Sequence, residues 1–391
     1  MNQQPETSSS ERQPGRGLAL LLISMANLFS APVIFLLPLY LEKELEYSGL
    51  QIGLVFGAFN ITAIVGAMPF GFGNDRRRSR VLVAVSCILV CIAAFALSGT
   101  ARFLLFVAAF IVFGIGVNLF RISLDALIYR TNLHGHEGRG LADYHSFRHA
   151  GFGVGILLAS CFLDSIGFPA VLVVLAIASL LMLPLAWRLP PTGTFQHDIE
   201  TYRADLRRPE VYLYLAWMFL FSSHWGAEQT SYALFLRHGL NLSTAGLGLY
   251  MFGEFVAVCL LLPWLGRRAD KGASLDKILL AGLLASGIGH IGMIYPHVAV
   301  SFLFRFIHGF GDAAVFLLIA LGAARLFSLE RIGGHSGLVM FVTLLGAFTG
   351  SLAYGPLGDA VGWGIPLAVS GGITLLLIPI YLYARNLAKN A

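Results

Sequence analysis

Ionisable residues recur at helical spacing inside the long apolar stretches of this 391-residue chain. His224 and Glu228 stand four apart. Arg305, His308 and Asp312 stand at offsets of zero, three and seven, and Asn118, Arg121 and Asp125 at intervals of three and four. In an α-helix those intervals put side chains on one face. Glu254 lies near the middle of a further apolar stretch. A charge inside hydrocarbon is costly, so each of these residues is a functional candidate. A carboxyl group in a low-dielectric cavity holds a proton more readily than in water, and imidazole titrates near neutrality. Glu254, His308 and Asp312 are therefore read as proton-coupling groups, with His224 and Glu228 as a reserve pair. Arg121 and Asp125 admit two readings, a structural ion pair or an anion contact through Arg121. His290 is read as a packing histidine. Asn27, Arg121, Asp125, Trp225 and Arg305 are the candidate substrate contacts.

The elements that must position these groups are membrane helices. Hydrophobic residues make up 57% of the chain and charged residues 12%, about half the charged share of a soluble domain. Windows of about 20 apolar residues, enough to cross hydrocarbon, fill nearly the whole length. Twelve spans are placed at about 17–41, 50–70, 81–100, 103–128, 147–166, 169–187, 211–236, 244–265, 275–295, 298–326, 334–357 and 364–384. They divide as a disordered tail (1–16), a first six-helix bundle (17–188), a linker (189–209) and a second bundle (210–391). The tail lacks the short apolar core and cleavage site of a signal peptide. The linker opens with Pro190 and Pro191, and its 196–206 stretch is expected as a surface helix. The fold class is thus all-α integral membrane, twelve helices in two pseudo-symmetric halves.

Lys and Arg gather on one side of this arrangement. The other side holds Lys43, Arg102 and Arg237, while Arg121 and Arg305 fall inside spans. The positive-inside rule then puts both termini in the cytoplasm. The formal charge of +5 is a topology signal. No basic stripe joins a soluble recognition fold, so no nucleic-acid partner is expected.

Two short segments about half a chain apart share one pattern. The first runs Gly71-Phe-Gly-Asn-Asp75-Arg76-Arg77-Arg78-Ser-Arg80, the second Gly266-Arg-Arg-Ala-Asp270-Lys271. Each lies between two spans. This repeated turn resembles the signature loop of the major facilitator superfamily, whose members are secondary transporters working by alternating access. In that superfamily the loop latches helix ends and tunes the inward–outward balance. The resemblance implies a latch of Gly71, Asp75, Arg76 and Arg80, with Gly266, Asp270 and Lys271 as a second copy. The carboxylate of Glu254 with the His308–Asp312 pair is similar to the proton-coupling set of lactose-permease-like symporters, although the pair is four apart here and commonly three there. Asp125-Ala-Leu, then Asp143-Tyr144 and Arg148, resembles the branch of phenylpropionate and nucleoside symporters. The Gly-Pro pair of efflux antiporters is absent from the glycine-rich run Gly151-Phe-Gly153-Val-Gly155.

Other chemistries find little support. Cys87, Cys91, Cys161 and Cys259 lie in apolar spans without metal-finger spacing and are read as packing residues. His134, His136, His145 and His149 lack a nearby cysteine or carboxylate pair at ligand spacing, so no metal is expected. No Walker loop, dinucleotide fingerprint or nucleophile elbow occurs at a fitting place, so neither a cofactor nor an enzyme is expected. Asn241-Leu-Ser243 is only a short match to the glycosylation pattern. Trp217, Phe219, Phe221, Trp225 and Tyr232, with Asn27 and Phe29, suit a cavity for an amphipathic or aromatic solute. The sequence therefore reads as a monomeric, proton-coupled transporter of such a solute in a bacterial inner or plasma membrane. A multidrug or metabolite antiporter and an uncoupled facilitator are the alternatives.

Overall fold

A computed structural model describes residues 15–131, 137–191 and 199–390. The first half holds α1 (Arg16–Lys43), α2 (Gly49–Arg76), α3 (Ser79–Ser98), α4 (Phe103–Thr131), α5 (Glu137–Ile166) and α6 (Phe168–Trp187). A short helix, α7 (Ile199–Leu206), crosses the connection. The second half holds α8 (Pro209–Ala227), α9 (Thr244–Asp270), α10 (Leu275–Gly292), α11 (Val298–Leu326), α12 (Ile332–Val361) and α13 (Gly364–Asn390). Among the described residues, eleven helices are long and apolar enough to cross a membrane. The remaining crossing is composite. α8 runs on through π-helical turns at Glu228–Tyr232 and Phe235–Gly239, and π turns recur where a functional side chain must be re-aimed. Glu228 opens the first of them.

Helix ends follow local chemistry. Ser48 caps α2 by accepting from the Gln51 N–H, and the Gln51 side chain accepts from the Ser48 N–H in return. Ser243 and Ser274 cap α9 and α10. Breaks at Arg102 and Pro169 were expected from composition, and α4 and α6 begin at Phe103 and Phe168. The fifth span differs most. It was expected from residue 147, but α5 starts at Glu137, because the polar segment ahead of the apolar window is itself helical.

The two halves repeat one packing scheme. In the first, α1 packs on α5, α2 on α4, and α3 on both α4 and α6. In the second, α8 packs on α12, α9 on α11, and α10 on both α11 and α13. Between halves the contacts are crossed, α2 against α12 and α5 against α9. This is the arrangement of a repeat related by an axis along the membrane normal. Close approach at these seams requires glycine. A Cβ on Gly71 would lie 2.6 Å from the Gly333 carbonyl oxygen, and one on Gly266 2.6 Å from the Gly138 carbonyl oxygen. The two signature glycines therefore serve helix contact inside α2 and α9.

Candidate functional site

A cavity of about 160 Å³ lies between the halves. One wall carries Asn27 from α1, Asn118 and Arg121 from α4, and Arg148 from α5. The other carries Trp225, Glu228 and Gln229 from α8 and its extension, Glu254 from α9, and Asp312 from α11. Phe35, Phe152, Phe255 and Phe316 supply apolar surface. The lining is therefore polarised, with guanidinium groups facing carboxylates across aromatic rings.

Behind the acidic wall sits a fully buried charge cluster. Arg305 donates to Glu228 at 2.5 Å and also to Glu254. Its guanidinium lies over the Tyr232 ring, 4.1 Å from the centroid, a geometry that stabilises a cation. His308 Nε2 is 3.3 Å from Glu228 and 3.4 Å from Asp312, and His224 Nε2 is 3.5 Å from Asp312. Ser286 donates to Asp312 at 2.9 Å. Buried charges persist only when paired in this way. The cluster thus gathers Glu228, Glu254, His224, His308 and Asp312, the residues expected to couple protons. Arg305, expected as a substrate contact, is wholly buried and lies outside the cavity lining. His290, expected to serve packing alone, joins the cluster. It stacks on His308 with centroids 4.2 Å apart, and its Nε2 is 3.4 Å from Glu228.

On the opposite wall, Arg121 Nε is 3.8 Å from Asp125, which also accepts the Tyr144 hydroxyl at 2.7 Å. Arg148 packs over Phe152 at 5.5 Å. Among the described residues no carboxylate stands within ion-pair distance of Arg148, so this wall has an excess of positive charge. The sequence reading gave Arg148 no substrate role. Asn27 and Trp225, read as substrate contacts, line the cavity, while Asp125 lines a smaller space of about 40 Å³ beyond Arg121.

Both signature aspartates bridge the halves at the basic end. Asp75 accepts from the Gly333 and Gly334 N–H groups at 3.0 and 2.8 Å, which are the first turn of α12. It also accepts from Arg130 at 2.5 Å and from the Tyr202 hydroxyl at 2.8 Å. Burial, together with the charge and hydrogen bond of Asp75, raises the Tyr202 phenol above its ordinary value, which keeps it a donor. Asp270 accepts from the Gly138 and Arg139 N–H groups at 2.7 and 2.9 Å, the first turn of α5. A helix N-terminus is a ready anion site. Arg76 and Lys271, expected in the latch, are exposed and have no carboxylate within ion-pair distance among the described residues. Arg80 is half-buried, with its Nε unpartnered. The partners that hold Asp75 are Arg130 and Tyr202, which lie far from it in sequence. At the opposite end, Gly49 N–H donates to Asp359 at 3.1 Å and Thr244 donates to Asp164 at 2.8 Å. The same two helix pairs are thus tied at both ends, above and below the cavity. Of the loop histidines, His145 and His149 are buried in α5, and His134 and His136 lie outside the described residues.

The Major Facilitator Superfamily family matches residues 18–275 and 230–390. The chain belongs to the Major Facilitator Superfamily. This transporter is 23% identical over 98% of its length to the mouse MFS-type transporter SLC18B1, covering 90% of that protein, and 22% identical to the rat protein. Its fold is similar to the nucleoside transporter NupG, with a TM-score of 0.72 at 12% identity over 94% of this chain and 98% of that one. It is likewise similar to the human organic anion transporter MFSD10, with a TM-score of 0.70 at 18% identity over 94% of this chain and 99% of that one. The superfamily transporter carries a solute across a membrane and is not an enzyme.

Proposed function

We propose that the protein is a proton-coupled secondary transporter of a small amphipathic or aromatic solute bearing an acidic group. The observation that carries this reading is the polarised cavity. Arg121 and Arg148 offer cationic contacts to an acid, and Trp225, Phe152 and Phe316 offer faces to an apolar body. Among proteins of similar fold, a nucleoside transporter agrees with an aromatic solute and an organic anion transporter with an acidic one. Glu254 takes the proton. It lines the cavity and, among the described residues, forms an ion pair with Arg305 alone, so protonation releases one of the two carboxylates that hold that guanidinium. The Asp75 and Asp270 bridges act as a latch at the basic end, which faces the cytoplasm. The protein works as a monomer in a bacterial inner or plasma membrane.

Reconstituted in proteoliposomes, the protein should take up an aromatic monocarboxylate saturably, and Arg148→Gln should slow uptake at least tenfold. Equal uptake of the uncharged amide analogue would overturn the anion contact. An exporter reading would require the same solute to accumulate inside inverted vesicles when their interior is made acidic, in exchange for protons.

A further inference from the structure

We infer that the buried cluster of the second half binds a divalent transition metal ion of the zinc class, held by His224, His308 and Asp312 with Glu228 and His290 adjoining. Two groups of three donor atoms converge there, His224–His308–Asp312 and Glu228–His290–His308, and within each group all atoms lie within 4.8 Å of one another. All five residues are buried.

The ring tautomers favour ligation. His224 Nδ1 is 2.6 Å from the Phe221 carbonyl and His308 Nδ1 is 2.9 Å from the Ser286 carbonyl. A carbonyl only accepts, so Nδ1 carries the proton in both rings. His290 Nδ1 meets the Ser370 hydroxyl at 3.0 Å, whose own hydrogen is donated to the Leu367 carbonyl at 2.8 Å. Nδ1 is again the donor. Each neutral ring therefore presents a bare Nε2, and all three Nε2 atoms are buried without a hydrogen-bond partner. A ring nitrogen fixed by its other N–H is the usual setting of a metal-bound histidine.

Spacing and charge agree. Nitrogen and oxygen ligands about 2.0–2.2 Å from a tetrahedral ion are roughly 3.3–3.5 Å apart. The nitrogen–oxygen separations across the cluster are 3.3, 3.4, 3.4 and 3.5 Å. Glu228, Glu254 and Asp312 oppose the single guanidinium of Arg305, which leaves two negative charges when the rings are neutral. One divalent cation balances them. Imidazole with carboxylate suits zinc, cobalt or nickel better than calcium or magnesium. Glu228 and Asp312 also line the central cavity, which gives the ion a way in. Local spacing shows only part of this site, His308 and Asp312 four apart on α11, because the remaining residues come from α8 with its extension and from α10.

The inference is independent of the transported solute, so its test is binding. Tag-free protein, purified in detergent and stripped with chelator, is titrated with Co²⁺ and back-titrated with Zn²⁺. One equivalent should bind and develop the intense visible bands of tetrahedral cobalt, which Zn²⁺ abolishes. His308→Gln and His224→Gln should each weaken binding at least tenfold, while His238→Gln, an exposed residue at the opposite end, should not. Thermal unfolding and gel filtration establish that each variant is folded, and the wild-type spectrum stands even where a variant is not. Absence of saturable binding, a weak octahedral spectrum, or unchanged affinity in both folded variants would overturn the inference and leave protons to balance the cluster.

Discussion

At the scale of single residues, Arg305 organises the second half. It is fully buried, and two carboxylates and the Tyr232 face hold it. Replacing it by Met strands Glu228 and Glu254, and a stranded buried charge costs about 3–5 kcal/mol. Arg305→Met should therefore lower thermal stability sharply, and adding Glu228→Gln and Glu254→Gln should restore most of the loss, as read by thermal unfolding in detergent. A triple variant no more stable than the single one would argue against the ion-pair account. The Arg121–Asp125 pair is a separate case. At 3.8 Å it is loose, and Asp125 already accepts from Tyr144. If Arg121 binds the solute, Arg121→Gln with Asp125→Asn should stay inactive although folded. Recovery of uptake in that double variant would assign the pair a structural role only.

Legibility in the sequence also differs residue by residue. Glu228, Glu254, His308 and Asp312 were visible because ionisable groups in apolar spans are conspicuous. His290 was not distinguished from a packing histidine, since its neighbours His308 and Glu228 come from other helices. Arg130 and Tyr202 were missed as partners of Asp75 for the same reason. Arg305 was seen but misplaced, because spacing along a helix gives the shared face and not whether that face meets a cavity or a neighbouring helix.

At the scale of elements, the seams α2–α12 and α5–α9 carry the latch we propose. Each has a glycine contact and an aspartate seated on the first turn of the facing helix. Spans and signature segments were legible from apolar length and motif. The extension of α5 and the π turns after α8 were not, because helix beyond the membrane needs no apolar window and a π turn has no periodic mark. Asp75→Asn should shift the balance between the two access states by about 1–3 kcal/mol, a common size for a coupled equilibrium. Transport should fall while solute binding persists, as measured by uptake beside equilibrium binding. Asp270→Asn should have a smaller effect, since its carboxylate lacks the Arg130 and Tyr202 contacts of Asp75. Wild-type transport in Asp75→Asn would remove the latch from the account.

At the scale of the whole molecule, two halves with one packing scheme enclose a polarised cavity and are tied at both ends. In the proposed mechanism, exchange of the ties at one end for those at the other opens the cavity to alternate sides. Coupling in that proposed mechanism depends on Glu254, which faces the cavity on one side and Arg305 on the other. Glu254→Gln mimics the protonated state. The variant should exchange solute across the membrane yet fail to concentrate it.

The most direct test is accumulation in proteoliposomes with and without an imposed pH gradient, comparing the wild type with Glu254→Gln. The account predicts that the gradient drives wild-type solute above its external concentration, and that the variant reaches only equality. Wild-type accumulation that ignores the gradient, or full gradient-driven accumulation in the variant, would contradict it.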